Sequence, residues 1–175
     1  MDMIEARYWS DNAISTQILE SAPALPGALD DFRSRLSRGW SRATAYSGTI
    51  TRAQWNTGNS RGQCGVSSAW LAEVLAREYS ICSTFCQGSL LFDEEESENL
   101  CDHCWLEIDG APGEALILDL TCDQAQGFDR QIVFDSKTKL AREGVHYISH
   151  ERVSIFDLPS NPVWPRYQRL LRNIS

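Results

Sequence analysis

Apolar residues recur every three or four positions in several stretches of the chain, which is the spacing of one buried helix face. Leu29, Phe32 and Leu36 follow this spacing directly after a Pro-Gly break, and Trp70 and Val74 follow it among good helix formers. The pattern predicts helices over 11–20, 27–39 and 65–79, and a C-terminal helix that opens at Pro165.

The pattern changes to that of strands after the third predicted helix. Partial alternation over 81–92 and the apolar content of 102–109 and 114–121 predict strands, the last two joined as a hairpin by Gly-Ala-Pro-Gly. A further strand is expected over 131–134, and the acidic run 93–98 is expected to be a solvated loop. Helices followed by such strands predict an α+β fold in which the central helix packs on an antiparallel sheet.

Length and charge restrict the domain organisation and the partners. The chain has 175 residues, enough for one domain that buries its own core. We expect a single domain over 1–175, with an N-terminal helical segment at 1–39 and the core at 40–172. A formal net charge of −8 at pH 7 argues against nucleic acid and anionic membrane surfaces, because binding to both relies on clustered Lys and Arg. A small molecule or a peptide is the expected partner, and the oligomeric state stays open.

The N-terminal residues and the cysteines bear on the compartment. Asp2 and Glu5 stand where a secretory signal carries positive charge, and no apolar block accompanies them. No apolar run approaches the roughly 18 residues of a membrane span. We therefore expect a cytoplasmic protein, whose six cysteines are thiols or metal ligands rather than a disulfide framework.

Cys64 is the candidate nucleophile. It lies in GQCG, immediately before the central helix, where unpaired N–H groups and the helix dipole favour negative charge. A reactive thiolate needs a base and a group that orients the base. His103, on a predicted strand, is the candidate base. Asp119, within the apolar run LILDL of the next strand, is the candidate orienter, because a carboxylate buried there needs a compensating partner.

These three residues predict a cysteine-dependent hydrolase or acyltransferase. The thiolate would attack an amide, a thioester or a related carbonyl compound, and an acyl-enzyme would form on Cys64. Water or an amine would then release the acyl group. Hydrolysis and transfer are not separable at this level, since they differ only in the second nucleophile.

Several motifs together resemble the YunG-like family of small bacterial proteins. They are GWSRATAY (39–46), Trp55, GQCGVSSAWLAEVL (62–75), HCWLEIDG (103–110), LDLTCDQ (118–124) and a late RYQRLL. The most specific pieces are GQC and DLTxDQ, and the resemblance spans roughly residues 39 to 172. It implies a papain-like, transglutaminase-like fold with a Cys-His-Asp cluster, and it says little about the substrate.

Glutamine and tryptophan residues near these motifs are candidates for binding. Gln63 and Gln54 are candidates to stabilise an oxyanion together with the backbone N–H of the nucleophile. Trp40, Trp55 and Trp105 are candidates to line the substrate cleft, although buried aromatic residues more often pack in the core.

Two polar residues that follow the candidate orienter are also candidates for the site. Asp123 is a rival to Asp119 for the orienting role, and Gln124 is either a cap or a site residue. His146 and His150 lie in the polar stretch HYISHE and are expected at the surface.

Two alternatives from other functional classes stay open. Cys82-x3-Cys86 and Cys101-x2-Cys104 resemble two ligand pairs of a structural zinc, which would make the chain a zinc-stabilised interaction domain. Strand alternation, however, places Cys101 and Cys104 on opposite faces, and the leading interpretation includes no metal or other cofactor. The second alternative is a catalytically inactive binding module of the same fold.

Overall fold

The computed structural model describes residues 22–46, 60–94, 97, 99–109 and 114–175. Its elements follow the chain in the order α1 (Leu25–Gly39), α2 (Cys64–Glu78), β1 (Thr84–Phe92), β2 (Leu100–Asp109), β3 (Ala115–Asp119), β4 (Val133–Ser136), α3 (Lys137–Arg142), β5 (Val145–Ser154) and α4 (Trp164–Ile174). Two short 3-10 turns cover Cys122–Gln124 and Leu158–Ser160. No helix within these ranges combines the length and apolar character needed to cross a membrane.

The strands form one antiparallel sheet in the order β4-β3-β2-β1-β5. Successive residues of a strand face opposite sides of a sheet, and the described core accordingly divides into two apolar clusters. Leu106 and Leu118 pack with residues of α1, α2 and α4 on one side. Trp105 and Ile117 pack on the other side with Leu140 of α3. The fold is therefore α+β, with α2 packed on an antiparallel sheet as the sequence predicts.

Most predicted elements are confirmed within a few residues. The predicted helices over 27–39 and 65–79 correspond to α1 and α2, the C-terminal helix corresponds to α4, and the predicted strands correspond to β1, β2, β3 and β4. The predicted helix over 11–20 lies outside the described residues. The helix α3 and the strand β5 were not predicted, and β5 is an edge strand whose second half is mostly exposed and polar. Only Val145 and Tyr147 of this strand are buried, so the alternation of apolar and polar residues is too short to predict a strand.

An irregularity in β2 lies directly before His103. The β1–β2 pairing joins Gly88 to His103 and then Leu90 to Leu100, so two residues of β2 face one residue of β1. Asp102, one of these two, has a φ of 61°, which a residue with a Cβ atom adopts only at a cost. A β-bulge of this kind redirects a strand, and this one sets the direction of the segment that carries His103.

The close approach of β5 to β1 requires glycine at position 88. A Cβ atom there would lie 1.9 Å from the carbonyl oxygen of Ile148, which belongs to the backbone and cannot rotate away. We expect Gly88→Ala to lower the free energy of unfolding by about 2 kcal/mol, the range of overpacked sites. Denaturant titration measures this change.

Gly27→Ala is the matched control for that substitution. Gly27 lies in α1, and no atom approaches within 4 Å of a Cβ built there. Alanine is the better helix former, so Gly27→Ala should raise the free energy of unfolding by about 0.5 kcal/mol. Equal destabilisation by the two substitutions would contradict the steric explanation.

Candidate active site

Cys64 is the first residue of α2, and a turn at Gly62 leads the chain into it. Gly62 has a φ of 73°, in the left-handed region that favours glycine. Its N–H donates to Oε1 of Gln124 at 2.9 Å, and its carbonyl accepts a hydrogen bond from the Tyr46 N–H at 2.8 Å. Because α2 begins at Cys64, the thiol lies beside N–H groups that have no partner within the helix.

His103 and Asp119 form a fully buried pair. Nε2 of His103 lies 2.6 Å from Oδ2 of Asp119. Oδ1 accepts hydrogen bonds from the backbone N–H of Thr121 at 2.8 Å and from its hydroxyl at 3.0 Å, and the Tyr147 hydroxyl donates to Oδ2 at 3.1 Å. Hydrogen bonds to a charged acceptor contribute roughly 1.5–3 kcal/mol each, so four donors compensate for burying this carboxylate.

The imidazole of His103 is held from two directions. Strand β3 pairs only with residues 106–109 of β2, so the backbone of His103 is not paired with β3. Trp105 stacks on the ring with the centroids 6.2 Å apart and an interplanar angle of 21°. Because Asp119 engages Nε2, Nδ1 is the ring nitrogen left for Cys64.

Two neighbouring side chains act on the Cys64 thiol. The hydrogen bond with Cys104 lowers the pKa of Cys64 most, burial raises it, and the hydrogen bond and charge of His103 lower it further. The net pKa is well below the ordinary value. Hydrogen bonding to Cys64 and burial raise the pKa of Cys104. Cys64 is therefore the thiolate of the two, and Cys104 is the thiol that donates to it.

The same balance of burial and charge operates on the other two residues. Burial lowers the pKa of His103, but the Asp119 carboxylate and then Cys64 raise it to about 10. Burial raises the pKa of Asp119, whereas His103 and Thr121 lower it more, to below its usual value. These pKa shifts all favour the charged forms, a thiolate at Cys64, an imidazolium at His103 and a carboxylate at Asp119. A thiolate needs no prior deprotonation to act as a nucleophile, and an imidazolium can give a proton to a leaving group.

Two adjoining pockets meet at the nucleophile. The Arg166 pocket has a volume of about 260 Å³ and is lined by residues that include Phe85, Cys104, Val163 and Arg166. The Gln124 pocket has a volume of about 210 Å³ and is lined by residues that include Arg61, Gly62, His103 and Gln124. Tyr46, Cys64 and Asp102 line both pockets. Cys64 thus borders open space on two sides.

Gln63 is fully buried and its side chain is bonded away from the pockets. Its Oε1 accepts from the Thr44 hydroxyl at 2.8 Å, and its Nε2 donates to the Ser41 carbonyl at 3.0 Å. These bonds fix the 41–44 turn against the start of α2. The oxyanion role of Gln63 stays a prediction, and the geometry gives this residue a structural task.

Trp40 and Trp105 pack in the interior rather than lining a cleft. Trp40 is 5% exposed and donates from Nε1 to the Ser67 hydroxyl at 3.0 Å. Trp105 is fully buried and supports the His103 ring from inside the second apolar cluster. Of the two roles left open for these residues, their burial supports packing in the core and not lining of the cleft. Gln54 and Trp55 lie outside the described residues.

Asp119, and not Asp123, contacts the candidate base. The Asp123 carboxylate accepts from Nη2 of Arg33 at 2.6 Å and from the Ser60 hydroxyl at 2.7 Å. It therefore ties α1 to the segment before Cys64, and of the two candidate orienters Asp119 is the one that contacts His103.

Gln124 lies beside the nucleophile with half of its amide unsatisfied. Its Oε1 is fixed by the Gly62 N–H. Its Nε2 is buried and has no hydrogen-bond partner among the residues that the structure describes. Buried donors without partners are rare in folded proteins, and this one lines a pocket together with Cys64 and His103.

The four cysteines of the zinc alternative do not come together. Cys86 and Cys104 belong to the apolar clusters on opposite faces of the sheet, so one ion cannot bind both. Cys82 and Cys101 are exposed. Across the described ranges, no group of three or more His, Cys, Asp or Glu side chains could hold a metal ion. The ligand pairs seen in the sequence are thus a coincidence of spacing.

Sequence reasoning missed several residues of the site. Thr121 carries a usable signal, because a residue two positions after an Asp commonly donates to its carboxylate. The sequence indicated Cys104 only as a thiol or a zinc ligand, and Tyr147 lies in the edge strand that the polarity pattern did not indicate. Arg166 was quoted only as part of a motif. Contacts between distant segments bring the last three residues to the site.

Comparisons of the chain with protein-family models, with curated proteins and with solved structures found no match. The resemblance to YunG-like proteins therefore stays a prediction that rests on sequence motifs. The chemistry assigned to the site rests on the geometry of this chain.

The reactivity of Cys64 should show the ionised pair directly. Because the pKa of Cys64 is lowered and that of His103 is raised to about 10, alkylation by iodoacetamide should have a midpoint well below the ordinary thiol value of about 8.5. A second change in the alkylation rate should appear only when the pH approaches the pKa of His103. Peptide mass spectrometry over a pH series measures the rate at each cysteine.

His103→Gln is the variant that tests the cause. It removes the positive charge, so the midpoint of Cys64 should move upward toward the ordinary thiol value, and labelling near neutral pH should slow. Cys82, which is exposed and outside both pockets, reports on the reagent in the same sample. A wild-type Cys64 that titrates as an ordinary thiol would contradict the ion pair.

Proposed function

We propose that this chain is a cysteine-dependent hydrolase or acyltransferase of papain-like, transglutaminase-like build, with Cys64 as nucleophile, His103 as acid and base, and Asp119 as orienter. One observation carries the proposal. Three residues chosen from separate segments of the sequence meet in space: Nε2 of His103 lies 2.6 Å from Oδ2 of Asp119, and His103 lines the same pocket as Cys64, which raises its pKa.

The arrangement supports a two-step acyl transfer. The Cys64 sulfur attacks the carbonyl carbon of an amide or thioester, and a C–S bond forms as the carbonyl electron pair moves to oxygen. When the oxyanion collapses, the bond to the leaving group breaks, and the amine or thiol leaves with the proton from Nδ1 of His103. Water or an amine then attacks the thioester, His103 accepts its proton, and the thiolate is restored.

Charge changes during the reaction match these roles of His103. The Cys64 thiolate is one of the groups that raise the pKa of His103. Acylation neutralises the sulfur, so the imidazolium becomes a stronger acid when the leaving group needs a proton. After that proton is gone, the neutral ring is a base for the second nucleophile. Asp119 keeps the ring oriented through both steps.

Gln124 is the side chain best placed to stabilise the oxyanion. The Gly62 N–H fixes one end of its amide, the other end is a buried N–H group without a partner among the described residues, and Gln124 lines the pocket that contains Cys64. The first N–H groups of α2 supply a second donor. Donors that are already in place when charge develops cost no reorganisation during the reaction.

The chain order also favours a papain-like build. A nucleophile opens the helix, the base lies on a following strand, and the orienter ends the neighbouring strand. This is the order that the resemblance to YunG-like proteins implies. The expected substrate is a small molecule or a peptide, because the two pockets at Cys64 are modest in volume.

Acyl-enzyme formation can be tested without the natural substrate. p-Nitrophenyl acetate should acetylate Cys64 and release p-nitrophenol, and peptide mass spectrometry should place the acetyl group on Cys64. Cys64→Ala should abolish this label, Cys82→Ala should not, and His103→Gln should slow acylation by about 100-fold. Equal acetylation of the exposed cysteines and Cys64 would contradict the proposal. A stable acetyl group that water and amines never remove would favour the inactive binding module.

The role of Gln124 can be separated from that of the nucleophile. Gln124→Met removes the amide N–H with little change of shape, so acetylation should slow by about 100-fold, the effect of losing one oxyanion donor. Alkylation by iodoacetamide forms no oxyanion and should change by less than about threefold. If both rates fall together, Gln124 positions Cys64 instead of stabilising charge.

A further inference from the structure

The guanidinium of Arg166 is incompletely paired beside the nucleophile. Its Nη1 is buried and has no hydrogen-bond partner within the described part of the chain. No described carboxylate lies within ion-pair distance of Arg166 either. A buried donor that also carries charge is the kind of group that folded proteins seldom leave without an acceptor.

Arg166 faces the pocket in which Cys64 lies. Its side chain lines the Arg166 pocket, and a Cβ atom built on Gly65 would lie 3.9 Å from its Nη2, so the guanidinium is next to the residue that follows the nucleophile. Its Cζ lies 5.3 Å from the centre of the Tyr46 ring, which packs against one face of the group. Stacking therefore fixes the orientation of the guanidinium, and its Nη1 is left without an acceptor among the described residues.

Two acidic residues also line this pocket but do not neutralise Arg166. Asp102 and Glu151 are exposed, so water solvates their carboxylates. The Arg166 side chain is only half-buried as a whole, but its Nη1 is shut off from water. Among the charged residues that line this pocket, Arg166 is thus the one with a buried polar atom that lacks a described partner.

We propose that Arg166 binds a carboxylate on the acyl donor, so that the preferred substrates of Cys64 are small acyl compounds that carry a negative charge close to the reacting carbonyl. The proposal rests on the function assigned to Cys64 and adds the substrate class. A guanidinium donates through a planar pair of N–H groups that matches the two oxygens of a carboxylate. The volume of about 260 Å³ is just below the usual range of ligand pockets, so it suits a short acyl group.

Charged and neutral alkylating reagents test this inference on the intact chain. Iodoacetate and iodoacetylglycine carry a carboxylate at two distances from the reactive carbon, and iodoacetamide is neutral. The rate ratio of each acid to iodoacetamide is measured at every cysteine by peptide mass spectrometry. In the wild type, at least one acid should show a ratio at Cys64 that exceeds the ratios at the exposed Cys82 and Cys101 by about tenfold.

Substitution of the arginine identifies the cause of that preference. Arg166→Gln should reduce the ratio at Cys64 by about tenfold, whereas Arg172→Gln, the same charge change at an exposed position of α4, should leave it within about twofold. Using a ratio removes any change in the ionisation of Cys64 itself, since both reagents need the same thiolate.

The outcomes separate this inference from the proposed function. If iodoacetamide does not prefer Cys64, the proposed function fails first. If iodoacetamide prefers Cys64 but neither acid is favoured there in the wild type, the carboxylate inference is overturned and the nucleophile stands. The carboxylate inference is also overturned, and the nucleophile stands, if Arg166→Gln and Arg172→Gln leave the ratio equally unchanged. The wild-type comparison needs no variant, so it decides the matter even if Arg166→Gln does not fold.

Discussion

The Asp119 carboxylate is buried between apolar residues at the end of a central strand, and the rest of the site depends on how that charge is compensated. Four hydrogen bonds reach its two oxygens, from Thr121, Tyr147 and His103. They join β2, β3 and β5 at one point of the sheet. An ionised carboxylate in this place raises the pKa of the neighbouring imidazole, and the imidazolium in turn favours the thiolate at Cys64. Loss of the carboxylate would therefore affect both the sheet and the nucleophile.

Two cysteines, Cys64 and Cys104, lie together in the site, and their pKa values are shifted in opposite directions. Cys104 and His103 lower the pKa of Cys64, which lies at the start of a helix, whereas Cys64 raises the pKa of Cys104, which lies on a strand. Proximity to a negative charge keeps the second thiol protonated. The electrostatic asymmetry thus comes from position in the fold, because the two side chains are chemically identical.

Arg166 differs from two other arginines of this acidic chain in how its guanidinium is paired. Arg33 is bonded to the Leu120 carbonyl and the Asp123 carboxylate, and Arg152 is paired with the buried Glu107. These two groups stabilise the framework on either side of the site. Arg166 instead stacks on Tyr46 beside the nucleophile and leaves a buried N–H without an acceptor in the described residues. A protein with a net charge of −8 would repel an anionic substrate, so a local cation is the natural way to bind one.

The sequence by itself determined most of the elements and indicated the three central residues. Helical spacing located α1, α2 and α4, because a buried helix face leaves a strong periodic pattern. Cys64, His103 and Asp119 could be chosen from their local settings, since a helix start favours a thiolate and a charged residue in an apolar strand demands a partner. The weakly patterned edge strand β5 left no such signal, and so Tyr147 was not foreseen.

Only the tertiary structure decided which residues surround those three. Strand order, a β-bulge and the packing of α2 and α4 determine four features of the site. They are the choice of Asp119 over Asp123, the burial of Trp105 behind the imidazole, the separation of the zinc-like cysteine pairs and the contact between Cys64 and Cys104. The same is true of the unsatisfied donors on Gln124 and Arg166. Contacts between segments far apart in the chain follow from how all elements pack at once, and no local pattern of residues encodes them.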